Sequence, residues 1–187
     1  MDFTIAVTAF TLLAAVYIAK ADSDCKVEAK DQVAWQVVKA AEKESFYLFR
    51  TTKNRLGSCS YLRVNQTDDT KKSGILLSGF GLGADVEAAS FVGKGNVLNV
   101  GKGLGAECNP CRAVTQGPFP LLYTDNTTCS VFATPDENDI LLYAAASAAP
   151  KATFHTCCKK IFKREARKAK KICYNKFSKK CLKSTQD

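Results

Sequence analysis

Two hydrophobic periods divide this chain. Residues 31–43 carry Val33, Val37, Ala40 and Ala41 at helical spacing, with Asp31 ahead of them as a candidate N-cap. From residue 45 the period falls to two. Residues 45–52 are aromatic and β-favouring, so a strand is predicted in which Phe46, Leu48 and Arg50 share one face and Tyr47, Phe49 and Thr51 the other. Further short strands are predicted at 60–65, 74–80, 86–92, 96–100, 119–124, 128–133 and 139–146, with polar turns at 68–72 and 135–138. Most of the glycines lie between 74 and 117, where they mark bends in a curving sheet. Eight short strands at hairpin spacing predict an all-β antiparallel barrel or sandwich, and closing the barrel would remove its exposed edges.

The helical period returns near residue 157. Cys158, Phe162, Ala166, Ala169, Cys173 and Phe177 recur at spacings of 4, 4, 3, 4 and 4, which predicts one helix over about 157–177 with a narrow apolar stripe. That stripe is expected to pack on the outside of the barrel and to leave a cationic face in solvent. The formal charge of +9 is concentrated there: residues 157–187 hold twelve Lys/Arg and two acidic residues, while the rest of the chain sums to −1. Lys159, Lys160, Lys163, Arg164, Arg167, Lys168, Lys170 and Lys171 form the candidate patch. It reads either as a solvated face that keeps the protein soluble or as a surface for polyanions: a glycosaminoglycan, an anionic membrane surface or an acidic host protein. Nucleic acid does not fit a secreted chain whose cations have no interleaved aromatics.

Secretion is read from the N-terminus. Residues 3–18 are nearly all apolar and Ala19-Lys20-Ala21 is a small-x-small cleavage site, so residues 1–21 are expected to be a signal peptide and 22–187 one mature domain. No later stretch is apolar and long enough to span a bilayer, so no stable membrane insertion is expected. Nine cysteines point to disulfides, and their odd number leaves at least one thiol free or paired between molecules. Asn65 and Asn126 open glycosylation sequons and are expected on exposed loops.

Catalytic and cofactor chemistry finds no support. Cys108 and Cys111 have a redox-like spacing, but no βαβ pattern and no second zinc pair accompany them, so a local disulfide or loop thiol is expected. The glycine runs at 79–83 and 101–105 lack the dinucleotide spacing. His155 stands without a nucleophile elbow and is expected to serve structure beside the Cys157-Cys158 pair. No enzyme, no cofactor and no metal site are expected.

The residue order resembles a known family. It runs from Asp22-Ser23-Asp24-Cys25 through Trp35, Phe46-Tyr47-Leu48-Phe49-Arg50 and Cys59. It continues with Leu122-Tyr123, Cys129-Ser130-Val131, Leu142-Tyr143, Cys157-Cys158, Tyr174 and Cys181. This is similar to the tick salivary lipocalins of the histamine-binding protein family, closest to the soft-tick branch of moubatin and the complement- and leukotriene-binding lipocalins. The resemblance implies an eight-stranded lipocalin barrel with an N-terminal helical turn and an external C-terminal helix. It also implies the disulfides Cys25–Cys157, Cys59–Cys181 and Cys129–Cys158, which leaves Cys173 expected as a buried thiol. The interior candidates implied by matching positions are Val38, Phe46, Phe119, Ser130, Phe132, Leu141 and Tyr143.

The amine-binding members of that family carry acidic residues at the positions of Ser130 and Leu141. Neither charge is present here, and an ammonium ligand buried without a carboxylate is costly. The basic positions of eicosanoid-binding relatives match Gly57 and Phe119, leaving Arg50 and Arg112 as substitutes. The expectation is therefore a secreted, monomeric salivary lipocalin that captures a small host mediator, an eicosanoid-like lipid ahead of histamine or serotonin. The alternative is a protein-interaction module whose barrel is plugged by its own side chains.

Overall fold

A computed structural model describes residue 25 and residues 32–80, 87–104 and 115–182. The expected signal peptide, Asp31, Cys108, Cys111 and Arg112 lie outside the described residues. One helix, α1 (Ala34–Lys43), precedes eight strands: β1 (Phe46–Thr51), β2 (Tyr61–Asp68), β3 (Ser73–Gly79), β4 (Glu87–Lys94), β5 (Val97–Gly103), β6 (Gly117–Thr124), β7 (Cys129–Ala133) and β8 (Ile140–Ala145). Each pairs antiparallel with the next, and β1 pairs with both β8 and β2, which closes the barrel. The expected eight-stranded barrel is present.

α1 lies across one end of the barrel. Its Ala34 N–H donates to Gly95 O in the β4–β5 turn at 2.9 Å, and Trp35 Nε1 donates to Asp69 Oδ1 in the β2–β3 turn at 3.0 Å. Just before the helix, Gln32 Oε1 accepts from Thr124 N at the end of β6. Ala34, Trp35, Val37, Val38 and Ala41 form its buried face. Each large apolar side chain buried there contributes about 1.5–3 kcal/mol. The helix starts later than its pattern suggests: Val33 occupies the N-cap without a side-chain bond, and the Gly95 carbonyl accepts the first-turn N–H of Ala34.

The second helix, α2 (Thr156–Lys168), packs on the outside of β6, β7 and β8. His155 caps it, its Nδ1 accepting from Cys157 N at 3.2 Å, which is the structural position expected for the histidine. The buried face is Cys157, Cys158, Ile161, Phe162 and Ala166. The helix is shorter than its apolar repeat predicts. Lys170 adopts a left-handed φ of 52°; its N–H bonds Arg167 O and the Lys171 N–H bonds Ala166 O, a Schellman ending. The chain then leaves the helix, Cys173 is exposed, and Tyr174–Asn175 form a short strand, β9, on β1. Phe177 reaches β1 by this route, with its ring 5.5 Å from Tyr47 and 6.0 Å from Phe49.

Three disulfides pin this C-terminal segment: Cys25–Cys157, Cys59–Cys181 and Cys129–Cys158, the pairs the resemblance implies. Among the described cysteines Cys173 alone is free, and its exposure overturns the expectation of a buried thiol.

Candidate functional site

Alternation along β7 and β8 builds the interior. The register sets Ser130 opposite Tyr143, Val131 opposite Leu142 and Phe132 opposite Leu141. Cys129 faces outward, where it bonds to Cys158 of α2, so Ser130 and Phe132 face inward with Leu141 and Tyr143. The turn ahead of β7 is fixed by Asp125, whose carboxylate accepts from the N–H groups of Thr127, Thr128 and Cys129 and from the Thr128 hydroxyl. Burial raises the Asp125 pKa, but these hydrogen bonds outweigh it and hold the carboxyl below the usual range. Cys129 and Ser130 therefore start from an anchored turn.

The barrel is not filled by its own side chains. It holds a cavity of about 460 Å³, within the roughly 300–1,000 Å³ range of small-molecule sites. Phe119, Phe132, Leu141 and Tyr143, four of the sequence-predicted positions, line it together. Leu48 of β1, Leu62 of β2, Leu76 of β3, and Leu98 and Val100 of β5 complete most of the apolar wall. Gly79 lies against the Tyr61 ring, and a Cβ at Gly79 would stand 2.5 Å from that ring. Tyr61 also borders the cavity, so this glycine leaves room for an aromatic side chain on the wall.

Val38 and Phe46 do not line the cavity. At 2% and 1% exposure they belong to the packed core, Val38 on the helix that covers one barrel end and Phe46 at the first residue of β1. Ser130 does not line it either. Its side chain is 1% exposed, and its Oγ is buried without a hydrogen-bond partner. Tyr143, its cross-strand neighbour, does reach the cavity, and burial pushes its phenol up to about 12.

The charged groups on the wall are ones the sequence pattern did not single out. Lys53 and Arg55 come from the β1–β2 connection, and Glu87 is the first residue of β4. They gather at the end opposite α1, together with Phe80, Thr115 and Thr134. The Thr134 hydroxyl bonds Asp136 and receives the Asp139 N–H, which ties the β7–β8 turn at this rim. With help from Asn138, the Thr134 bond holds Asp136 at about 2. Nothing in the alternation of β1 foretold Lys53 or Arg55, because both lie in a connection with no period.

Arg50, named from the sequence as a possible anion partner, points elsewhere. A register shift between Leu48 and Arg50 turns it out of the inward row, and its Nε donates to Asn175 Oδ1 of β9 at 2.9 Å. Both sequon asparagines are exposed; Asn126 sits in the β6–β7 turn, but Asn65 lies within β2, not on a loop. No cluster able to hold a metal ion occurs among the described residues. The eight basic candidates are not equivalent. Lys159 turns inward to Ala152 O and over the Phe154 ring, Arg164 and Lys168 pair with Glu165, and Lys171 pairs with Asp139.

Residues 22–183 match the family model described as tick histamine binding protein. In three dimensions the chain is similar to the crystal structure of AM182 in complex with serotonin. The TM-score is 0.63 at 21% identity, over 80% of this chain and 92% of that one. At this identity the likeness supports the fold alone. No curated protein matches the chain in sequence.

Proposed function

The chain belongs to the tick histamine-binding protein family, and from that premise we propose that it captures an apolar host lipid mediator bearing an anionic end. Small-ligand binding is the family's activity. The finer reading is a secreted salivary lipocalin that sequesters an eicosanoid-like mediator of inflammation or haemostasis by stoichiometric binding without turnover. Within the family it sits nearer the moubatin and leukotriene-binding branch. Three disulfides suit an oxidising, extracellular setting.

The observation that carries this reading is the distribution of polarity around the cavity. Leucines, Val100 and aromatic rings supply the body of the wall, and Lys53 and Arg55 stand with Glu87 at the rim. An extended lipid can place its chain against Leu76, Leu98, Phe132 and Leu141 and its carboxylate at the rim. Leu141 and Ser130 offer no carboxylate for an ammonium group, and the Tyr143 hydroxyl adds a neutral polar contact along the way.

A second reading has its own support. Glu87 also lines the cavity, whose wall includes several aromatic rings that suit a cation. The structural neighbour AM182 is a serotonin complex. Histamine or serotonin capture through Glu87 is therefore the competing assignment. A host-protein target has less support, because it was tied to a plugged barrel and this barrel holds an open cavity.

Isothermal titration of residues 22–187 with a leukotriene, a thromboxane analogue, arachidonate, histamine and serotonin separates these readings. Submicromolar binding of an acidic lipid supports the proposal. Amine binding tighter than any lipid replaces it with the Glu87 reading. Silence toward all five ligands returns the protein-interaction class to the front.

A further inference from the structure

The outer face of α2 has a property the cavity does not use. Around the helix, Lys160, Lys163, Arg164 and Arg167 point away from the buried row of Cys158, Ile161, Phe162 and Ala166. At 1.5 Å rise per residue, the cations from Lys160 to Lys168 occupy a ridge about 12 Å long. Glu165 is the one acidic residue on the helix, and it is shared by Arg164 and Lys168. No ion pair engages Lys163 or Arg167 among the described residues, and both are exposed.

This segregation is more than net basicity. The chain outside residues 157–187 sums to −1, so the excess positive charge belongs to the C-terminal segment that carries α2. The ridge is also held rigid. Cys25–Cys157 and Cys129–Cys158 lock its first turn to the leader and the barrel, and Cys59–Cys181 ties down the chain that follows it. A preorganised row of cations loses little freedom when a linear polyanion binds along it.

We propose that the exposed face of α2 is a docking ridge for a sulfated polysaccharide, which would hold the protein at a tissue surface while the barrel takes its ligand. The shape selects this partner over the other polyanions. The cations from Lys160 to Lys168 lie in line along a single helix, an arrangement that matches a linear polyanion. No large exposed apolar residue is interleaved within α2; the described ones are Val92, Leu104 and Ile172, all outside it. No exposed aromatic ring stands among its cations for base stacking. The ridge acts independently of what the cavity holds.

The test compares two triple variants on immobilised heparin. One is Lys160→Gln, Lys163→Gln and Arg167→Gln. The other removes the same charge from exposed positions elsewhere: Lys94→Gln, Lys102→Gln and Lys151→Gln. The ridge variant is expected to weaken binding about tenfold or more at physiological salt and to flatten its salt dependence, because fewer counterions are released. The control variant is expected to stay within about twofold of the parent. Desulfated heparin should fail to compete with the parent, a readout that does not depend on either variant folding. Equal losses in the two variants would reduce the effect to net charge and overturn the proposal. So would the absence of heparin binding at physiological salt, competition by desulfated heparin, or tighter ridge-dependent binding to vesicles of phosphatidylserine and phosphatidylcholine.

Discussion

Replacing Lys53 with Gln tests the rim directly, because it removes one charge from the cavity wall and keeps much of the side chain. Lys53 is half-buried and lines the cavity on the β1–β2 connection. Its backbone N–H is fixed by the Thr51 hydroxyl at 2.9 Å, which anchors the start of this connection. A carboxylate about 4 Å from its ammonium gains about 4 kcal/mol at an effective dielectric of 20. Water at the rim and the ordering of a long side chain reduce that figure, and a net of about 1.4 kcal/mol, or tenfold, is the expected scale. The comparison that isolates the charge uses two ligands with one chain: arachidonate and the corresponding alcohol. The parent should bind the acid about tenfold more tightly than the alcohol, and Lys53→Gln should reduce that preference to about twofold while leaving alcohol affinity nearly unchanged. Isothermal titration at two salt concentrations reads both numbers. A parent that binds acid and alcohol equally would refute the idea that the rim selects an anion. A variant that weakens both ligands alike would mean that Lys53 acts through packing and not through its charge.

Three further outcomes follow from the geometry. Ser130→Ala should raise the stability of the ligand-free protein by about 1 kcal/mol, or about 2–4 °C in Tm, because an unpartnered buried hydroxyl is removed; a lower Tm in calorimetry would show that Oγ has a partner in solution. Tyr143 has its folded pKa raised to about 12 from 10.0, so its ionisation leaves stability untouched below about pH 10 and lowers it progressively from pH 10 toward 12. Denaturant melts of the parent should therefore lose about 1–2 kcal/mol more across that window than those of Tyr143→Phe, and parallel losses would contradict a desolvated phenol. Lys170→Gly should stabilise the protein by about 0.5–1 kcal/mol by relieving the left-handed backbone at the end of α2; destabilisation would show that the Lys170 side chain matters more than its φ.

The barrel was legible from the sequence because its strands largely follow a two-residue period, broken at register shifts such as the one between Leu48 and Arg50. Alternation put Ser130 with Phe132 and Leu141 with Tyr143 on shared faces before any register was known, and the family resemblance, not the period, implied that those faces point inward. Position along the barrel axis was less visible. Val38 and Phe46 show the same apolar character as the wall residues, yet they fall in the packed core outside the cavity lining. Alternation reports which face a residue takes but not its depth. The end of α2 was hidden for a different reason. The apolar repeat continues past Lys168, and the stop comes from Lys170 in a conformation that usually attracts Gly or Asn. Asn65 closes the strand predicted over 60–65, and its sequon was expected on a loop beyond it, but β2 continues through a register shift to Asp68. Lys53, Arg55 and Glu87 carried no periodic signal, since the closure of the barrel is what brings the β1–β2 connection and the start of β4 to a common rim.

The central claim is that this cavity prefers an anionic lipid to an amine. Native mass spectrometry of the folded chain, incubated with equal concentrations of arachidonate and serotonin, tests it in one spectrum. The expected result is a single added mass of one arachidonate per chain. A chain carrying serotonin in place of the fatty acid would contradict the claim and assign the cavity to amines through Glu87.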